Sequence, residues 1–129
     1  MAANRGRDTK PELRIRSALH RRGMRFRVDV APLNQLRRRA DIVMTKARIA
    51  VFVDGCFWHG CPDHFVQPRT NAEFWREKIQ RNRTRDWDTD QRLEQAGWKV
   101  LRFWEHEDPD VAVSIIIASW RLRVNGLSA

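Results

Sequence analysis

No apolar run in this sequence approaches the roughly 18 residues that a membrane-spanning helix requires, so nothing in it reads as a transmembrane segment. The opening residues Met-Ala-Ala-Asn-Arg-Gly-Arg-Asp lack the apolar stretch of a secretory signal, and the expectation is an intracellular, cytoplasmic protein. There are only 2 cysteines. In a reducing compartment a closely spaced pair binds metal more naturally than it forms a disulfide. Acidic residues are in deficit: 16 Asp plus Glu face 25 Lys plus Arg, a net charge of +9. The excess is mostly arginine, which matches phosphate in bidentate geometry. A polyanion, nucleic acid above all, is the natural partner, and the plainer alternative is a merely soluble basic protein. No strongly amphipathic basic helix with a wide aromatic face argues for a membrane surface. Internal repeats, low-complexity tracts and a second domain are also missing, so residues 1–129 read as one domain, with 42% apolar residues to form its core.

What is present divides into short elements. Thr9-Lys10-Pro11-Glu12 is a capping box with proline in the first turn, and a helix should run from it to about Arg22, with Leu13, Ile15, Ala18 and Leu19 inward and Gly23 as its cap. Phe26 to Val30 alternates as a strand, and Ala31 to Arg39 is a loop ending in the basic triplet Arg37, Arg38 and Arg39. Ala40–Met44 and Ile49–Val53 have the length of buried strands and are joined by the tight turn Thr45–Arg48, so they read as a hairpin. Thr70-Asn71-Ala72-Glu73 is a second capping box. The long helix after it, ending at Gly97, begins an apolar stripe with Phe74, Trp75 and Ile79 and finishes it with Leu93 and Ala96. The middle positions of that stripe are Asn82, Asp86 and Thr89, and an inward face that turns polar faces a site rather than a core. Trp98 to Trp104 alternates as a strand, and Asp108-Pro109-Asp110 opens a last helix with Ile115, Ile116, Ala118 and Leu122 available for packing. The predicted order is αβββαβα.

The densest chemistry lies in Val51 to His64. This stretch opens as a strand, breaks at Asp54-Gly55, and then presents Cys56, His59, Cys61 and His64 around Phe57 and Trp58. Cys56, Cys61 and His64 supply three zinc ligands at short spacing, and His106, just beyond the Trp98 strand, is the best fourth. Such a closed site is structural. The alternative is a pair of reduced buried cysteines with surface histidines.

A second constellation is acidic. Asp41 stands alone in the apolar run Arg-Ala-Asp-Ile-Val, where a carboxylate is costly unless it is paired or bound to a cation. It is either a strand-end partner of Arg39 or a ligand of Mg²⁺, which prefers carboxylate and phosphate oxygens. Asp54 ends the partner strand and could point to the same place. Glu12 is either the last member of its capping box or a further acid of the site. His59 suits a general base, oriented by Asn82 or Asp86. One acid-bound metal, one imidazole and a basic surface suggest phosphodiester hydrolysis.

These residues, in order, resemble a known family. Phe-Val-Asp-Gly-Cys-Phe-Trp-His-Gly-Cys-Pro-Asp-His is preceded by Arg-Ala-Asp-Ile-Val. It is followed by Glu-Phe-Trp-Arg-Glu-Lys-Ile, by Asn82 with Arg85-Asp86, and by Gly-Trp-Lys-Val-Leu-Arg-Phe-Trp-Glu. Over nearly the whole chain this is similar to the very short patch repair (Vsr) endonucleases. The resemblance implies an α/β fold on the PD-(D/E)xK restriction-endonuclease-like core, a mixed central sheet flanked by helices. It implies nicking of double-stranded DNA 5′ of the thymine in a thymine–guanine mismatch, catalytic Mg²⁺, structural Zn²⁺ and a nucleoid-associated monomer. Carried over, Asp41 resembles the metal-binding aspartate, with the Val53 backbone carbonyl beside it, His59 the essential histidine and Glu12 the glutamate of the N-terminal helix. Asn82 and Asp86 resemble polar residues that support the site. Cys56, Cys61, His64 and His106 fall at or beside the zinc positions. Phe57, Trp58 and Trp75 resemble aromatics that wedge into the duplex, while Arg37, Arg38 and Arg39 are candidates for its phosphates. Ala40 stands where the motif has proline, and Asp54 where some members carry histidine, which leaves Asp54 as a metal ligand or a water positioner. Only eight residues precede Thr9, fewer than in members with a DNA-clamping arm. Weaker clamping, or action with another protein such as a mismatch-repair protein, is the expectation.

Overall fold

Four short apolar runs become the strands of one mixed sheet. The computed structural model describes residues 10–55 and 69–128. Its elements are α1 (Lys10–Arg21), β1 (Arg27–Val30), β2 (Ala40–Met44), β3 (Ile49–Asp54), α2 (Ala72–Gln95), β4 (Lys99–Trp104) and α3 (Pro109–Ser128), in the predicted order. The sheet order is β1-β2-β3-β4. β1 with β2 and β2 with β3 are antiparallel, and Ile42 faces Val51 across the expected hairpin. β3 and β4 run parallel, from Ile49 opposite Lys99 to Asp54 opposite Trp104, with α2 in the connection between them, as a parallel crossover requires.

Two glycines stop helices where the sequence places them. Gly23 has φ 74° and Gly97 φ 89°. The Gly23 N–H donates to the His20 carbonyl at 2.9 Å and the Met24 N–H to Leu19 at 3.1 Å. Gly97 to Glu94 at 3.0 Å and Trp98 to Leu93 at 2.9 Å repeat the pattern. These paired bonds are Schellman caps, which satisfy the last carbonyls and favour a residue without Cβ. At the other end of α3 the Asp108 side chain accepts from the Asp110 N–H at 2.9 Å.

The strand alternation divides the core in two. Ile42, Met44, Ile49, Val51 and Phe103 pack with Ile15 and Leu19 of α1 and with Val113 and Ile116 of α3. Val43, Ala50 and Phe52 pack with Leu93 and Trp98. Each fully buried Ile, Leu or Val contributes about 1.5–3 kcal/mol, so the sheet is held from both faces and its strand ends are fixed in relation to one another.

Several local expectations are corrected. The second capping box does not form. Asn71 is the N-cap, in a left-handed conformation (φ 57°) with no side-chain cap bond. This moves the helix start one residue past Thr70, and Glu73 pairs with Arg76 at 3.0 Å instead. The first box includes Thr9, outside the described residues. Leu13 is 44% exposed, because Glu12 rather than Leu13 joins Ile15 and Leu19 on the inward face. On α2, Ala96 and Phe74 are exposed. On α3 the inward residues are Ala112, Val113, Ile116 and Ile117, while Ile115, Ala118 and Leu122 lie outside, Leu122 at 76% exposure. That helix is apolar on both faces, so periodicity did not select between them.

Candidate active site

The acidic residues converge on one end of the sheet. Asp41 sits near the start of β2, and its Oδ2 accepts the Val53 N–H of β3 at 2.6 Å. The alternative partner, Arg39, binds Asp29 at 3.2 Å instead. Burial pushes the Asp41 carboxyl up to about 7 from 3.8. The Val53 hydrogen bond opposes that rise, and the charges of Glu12, Asp54 and Asp29 add to it. Glu12, on α1, is 1% exposed, with Arg16 Nε 3.6 Å from its carboxylate. A carboxylate so desolvated and surrounded by acids favours a cation. Mg²⁺ is held by one or two carboxylates and keeps several waters. Asp41 and the backbone at Val53, with Glu12 close by, fit that demand. Among the described residues no group of three or more His, Cys, Asp or Glu could hold a metal ion unaided.

Asp54 and Asp86 meet at a residue the sequence reading missed. Arg102 of β4 donates to both Asp54 carboxylate oxygens at 3.1 Å and to Asp90 at 2.9 and 3.0 Å. It lies 3.8 Å from Asp86 Oδ1, with its guanidinium 4.1 Å above the Phe52 ring. Its burial disfavours the charge, but hydrogen bonding to Asp90 and the charges of Asp54, Asp86 and Asp90 outweigh this, and its pKa is raised. Arg102 thus fastens the polar middle of α2 to the sheet. A signal was present: Arg102 is a lone cation among apolar neighbours in Val-Leu-Arg-Phe-Trp, as Asp41 is a lone acid in its run. Asp29 was also missed. It has φ 51°, a conformation aspartate tolerates better than most residues.

The polar stripe of α2 is where the sequence puts it. Ile79, Thr89 and Leu93 are buried, with Asn82 and Asp86 half-buried on the same side. Thr89 bonds the Arg85 carbonyl at 2.8 Å and receives Arg38 Nη1 at 2.5 Å. Two of the three basic-triplet side chains are therefore held within the protein, Arg38 on α2 and Arg39 on Asp29. Arg37 is exposed. Trp75 is half-buried, edge-on to Phe74 with centroids 5.1 Å apart. Cys56, Phe57, Trp58, His59, Cys61 and His64 lie outside the described residues. His106 is exposed two residues beyond Trp104. Trp104 pairs with Asp54 and the Glu105 N–H donates to the Asp54 carbonyl at 2.9 Å, so the C-terminal ends of β3 and β4 lie side by side.

Known proteins resemble this chain in sequence and fold. The profile of the family described as DNA mismatch endonuclease Vsr matches residues 1–64. The Type II nicking enzyme V.NaeI of Lentzea aerocolonigenes is 48% identical over 119 residues, 91% of this chain and 72% of that protein. The DNA mismatch endonuclease Vsr of Escherichia coli (strain K12) is 42% identical over 106 residues, 81% of this chain and 66% of that one. In structure, the catalytic domain of the homing endonuclease I-Bth0305I superposes with a TM-score of 0.60 at 17% identity, covering 91% of this chain and 99% of that domain. The fold is therefore the restriction-endonuclease-like one that the resemblance implied. No helix among the described residues is long and apolar enough to cross a membrane. The chain is a DNA endonuclease and belongs to the Vsr family.

Proposed function

We propose that this endonuclease nicks one strand of duplex DNA 5′ of the thymine in a thymine–guanine mismatch. The observation that carries the reading is the Asp41 carboxylate, half-buried among acids at a strand end in a chain 42% identical to the Escherichia coli DNA mismatch endonuclease. Mg²⁺, when bound at Asp41 and the Val53 carbonyl with Glu12 nearby, would supply charge stabilisation to the phosphate. His59 takes the proton of the attacking water, and Asn82 and Asp86 support it from α2. Phe57, Trp58 and Trp75 press into the base step beside the mismatch, where imperfect pairing lowers the cost of unstacking. Cys56, Cys61 and His64, with His106, would hold Zn²⁺, which would fix the shape of the segment that carries His59. Asp54 is an anchor for Arg102 rather than a metal ligand.

A second reading has the same chemistry on a different target, as part of a restriction or defence system. It is favoured by the higher identity to the Type II nicking enzyme V.NaeI. One experiment separates them: nicking with Mg²⁺ across a panel of single mismatches and the matched duplex. Preference for thymine–guanine, lost without binding loss in Asp41→Ala and His59→Ala, is the expected result. Equal cleavage of matched and mismatched duplexes favours the second reading. Normal nicking by both variants overturns the site.

A further inference from the structure

The end of the sheet remote from Asp41 carries the opposite charge. A recess of about 560 Å³ opens there between the start of β1, the β2–β3 turn and α3. Arg22, Arg25, Arg27, Lys46 and Arg121 line it, and among the described residues no acidic one does. All five are exposed. None makes an ion pair among the described residues, unlike Arg16, Arg38, Arg39, Arg76, Arg92 and Arg102. Its apolar lining includes Phe26, Ile117 and Trp120, which pack into the core behind it. Five like charges around one recess repel one another, and an anionic occupant relieves that repulsion.

DNA at the catalytic end is a poor occupant. Lys46 lies five residues along the chain from Asp41, roughly 16 Å at about 3.3 Å per residue of strand, at the opposite end of β2. Single-stranded nucleic acid would need open ring faces for stacking. Phe26 and Trp120 are half-buried against the core, and the His20 ring lies 4.6 Å from that of Phe26. A peptide fits better: one apolar side chain enters the recess and flanking carboxylates meet the cations around it. We propose that this recess docks an acidic segment of a partner protein, separately from the DNA.

Fluorescence anisotropy tests this with two labelled probes of equal charge, a short peptide alternating glutamate and phenylalanine and an oligothymidylate. The double variant Arg25→Glu/Lys46→Glu removes cations from the recess. Arg81→Glu/Arg83→Glu makes the same change in net charge on the exposed side of α2. The proposal expects the first pair to weaken peptide binding at least about tenfold and the second less than about threefold, with nicking by the first pair at the wild-type level. Equal weakening by both pairs would show that net charge alone acts, and would overturn the docking site. So would the absence of peptide binding. Tighter binding of the oligothymidylate, lost in the first pair, would overturn it in favour of a second nucleic-acid site.

Discussion

Replacing Asp41 by asparagine should make the metal-free protein more stable at neutral pH while it abolishes nicking. Asparagine keeps an oxygen where Asp41 Oδ2 accepts the Val53 N–H, so the hydrogen bond survives and only the charge is removed. Holding a carboxyl that ordinarily titrates at 3.8 up to about 7 corresponds to about 4 kcal/mol against the ionised form in the fold. Between these two values the folded chain keeps a proton that the unfolded chain has released. Wild-type stability therefore falls as pH rises through that window, and the loss is complete above about pH 7. Burying the amide offsets part of the gain, which leaves about 2–4 kcal/mol in favour of Asp41→Asn at pH 8 and near equality at pH 4. Urea unfolding of both proteins in magnesium-free buffer from pH 4 to 8 measures this, since titrating groups remote from Asp41 cancel in the difference. Added Mg²⁺ should then raise the wild-type midpoint at pH 8 and leave that of Asp41→Asn unchanged. A variant less stable than wild type at pH 8, or a difference that does not grow with pH, would refute the account of Asp41.

Arg102→Met should cost about 3–5 kcal/mol, because it leaves the Asp54, Asp86 and Asp90 carboxylates together without their cation. Adding Asp54→Asn should recover part of that deficit. Urea midpoints for the single and double variants check both statements. Cys61→Ser should lose bound zinc by metal analysis and unfold at lower temperature. If Cys56 and Cys61 formed a disulfide instead, the wild-type fold would persist in chelator.

The fold was legible because its signals are local. The β2–β3 hairpin, both glycine caps and the polar interruption of α2 each follow from a handful of adjacent residues. What escaped depends on residues far apart in the chain. Asn71 displaces the α2 cap through one left-handed backbone angle, which no pattern of residue types specifies. The outward face of α3 escaped because Ile115 and Leu122 are as apolar as Ile116 and Ile117, and only the place of α1 and the sheet decides between them. Arg102 escaped because its three carboxylates come from two elements, one of them across a 48-residue separation from Asp54.

The distribution of arginines leaves one acid among several without a cationic side chain beside it among the described residues. Among the described residues, the acids around this end of the sheet include five that lie beside an arginine. Arg102 takes Asp54, Asp86 and Asp90, Arg39 takes Asp29, and Arg16 lies beside Glu12. Asp41 has no cationic side chain among the described residues and is held by one backbone N–H. Neutralising the neighbours has two effects. It fixes α2 and β3 with interactions that do not depend on a metal, and it leaves Asp41 as a partly buried carboxylate without a cationic side chain beside it among the described residues. An arginine at Asp41 would stabilise the resting fold but occupy the place of the metal. Asp41 is thus a local loss of stability, held in place by hydrophobic packing on both faces of the sheet.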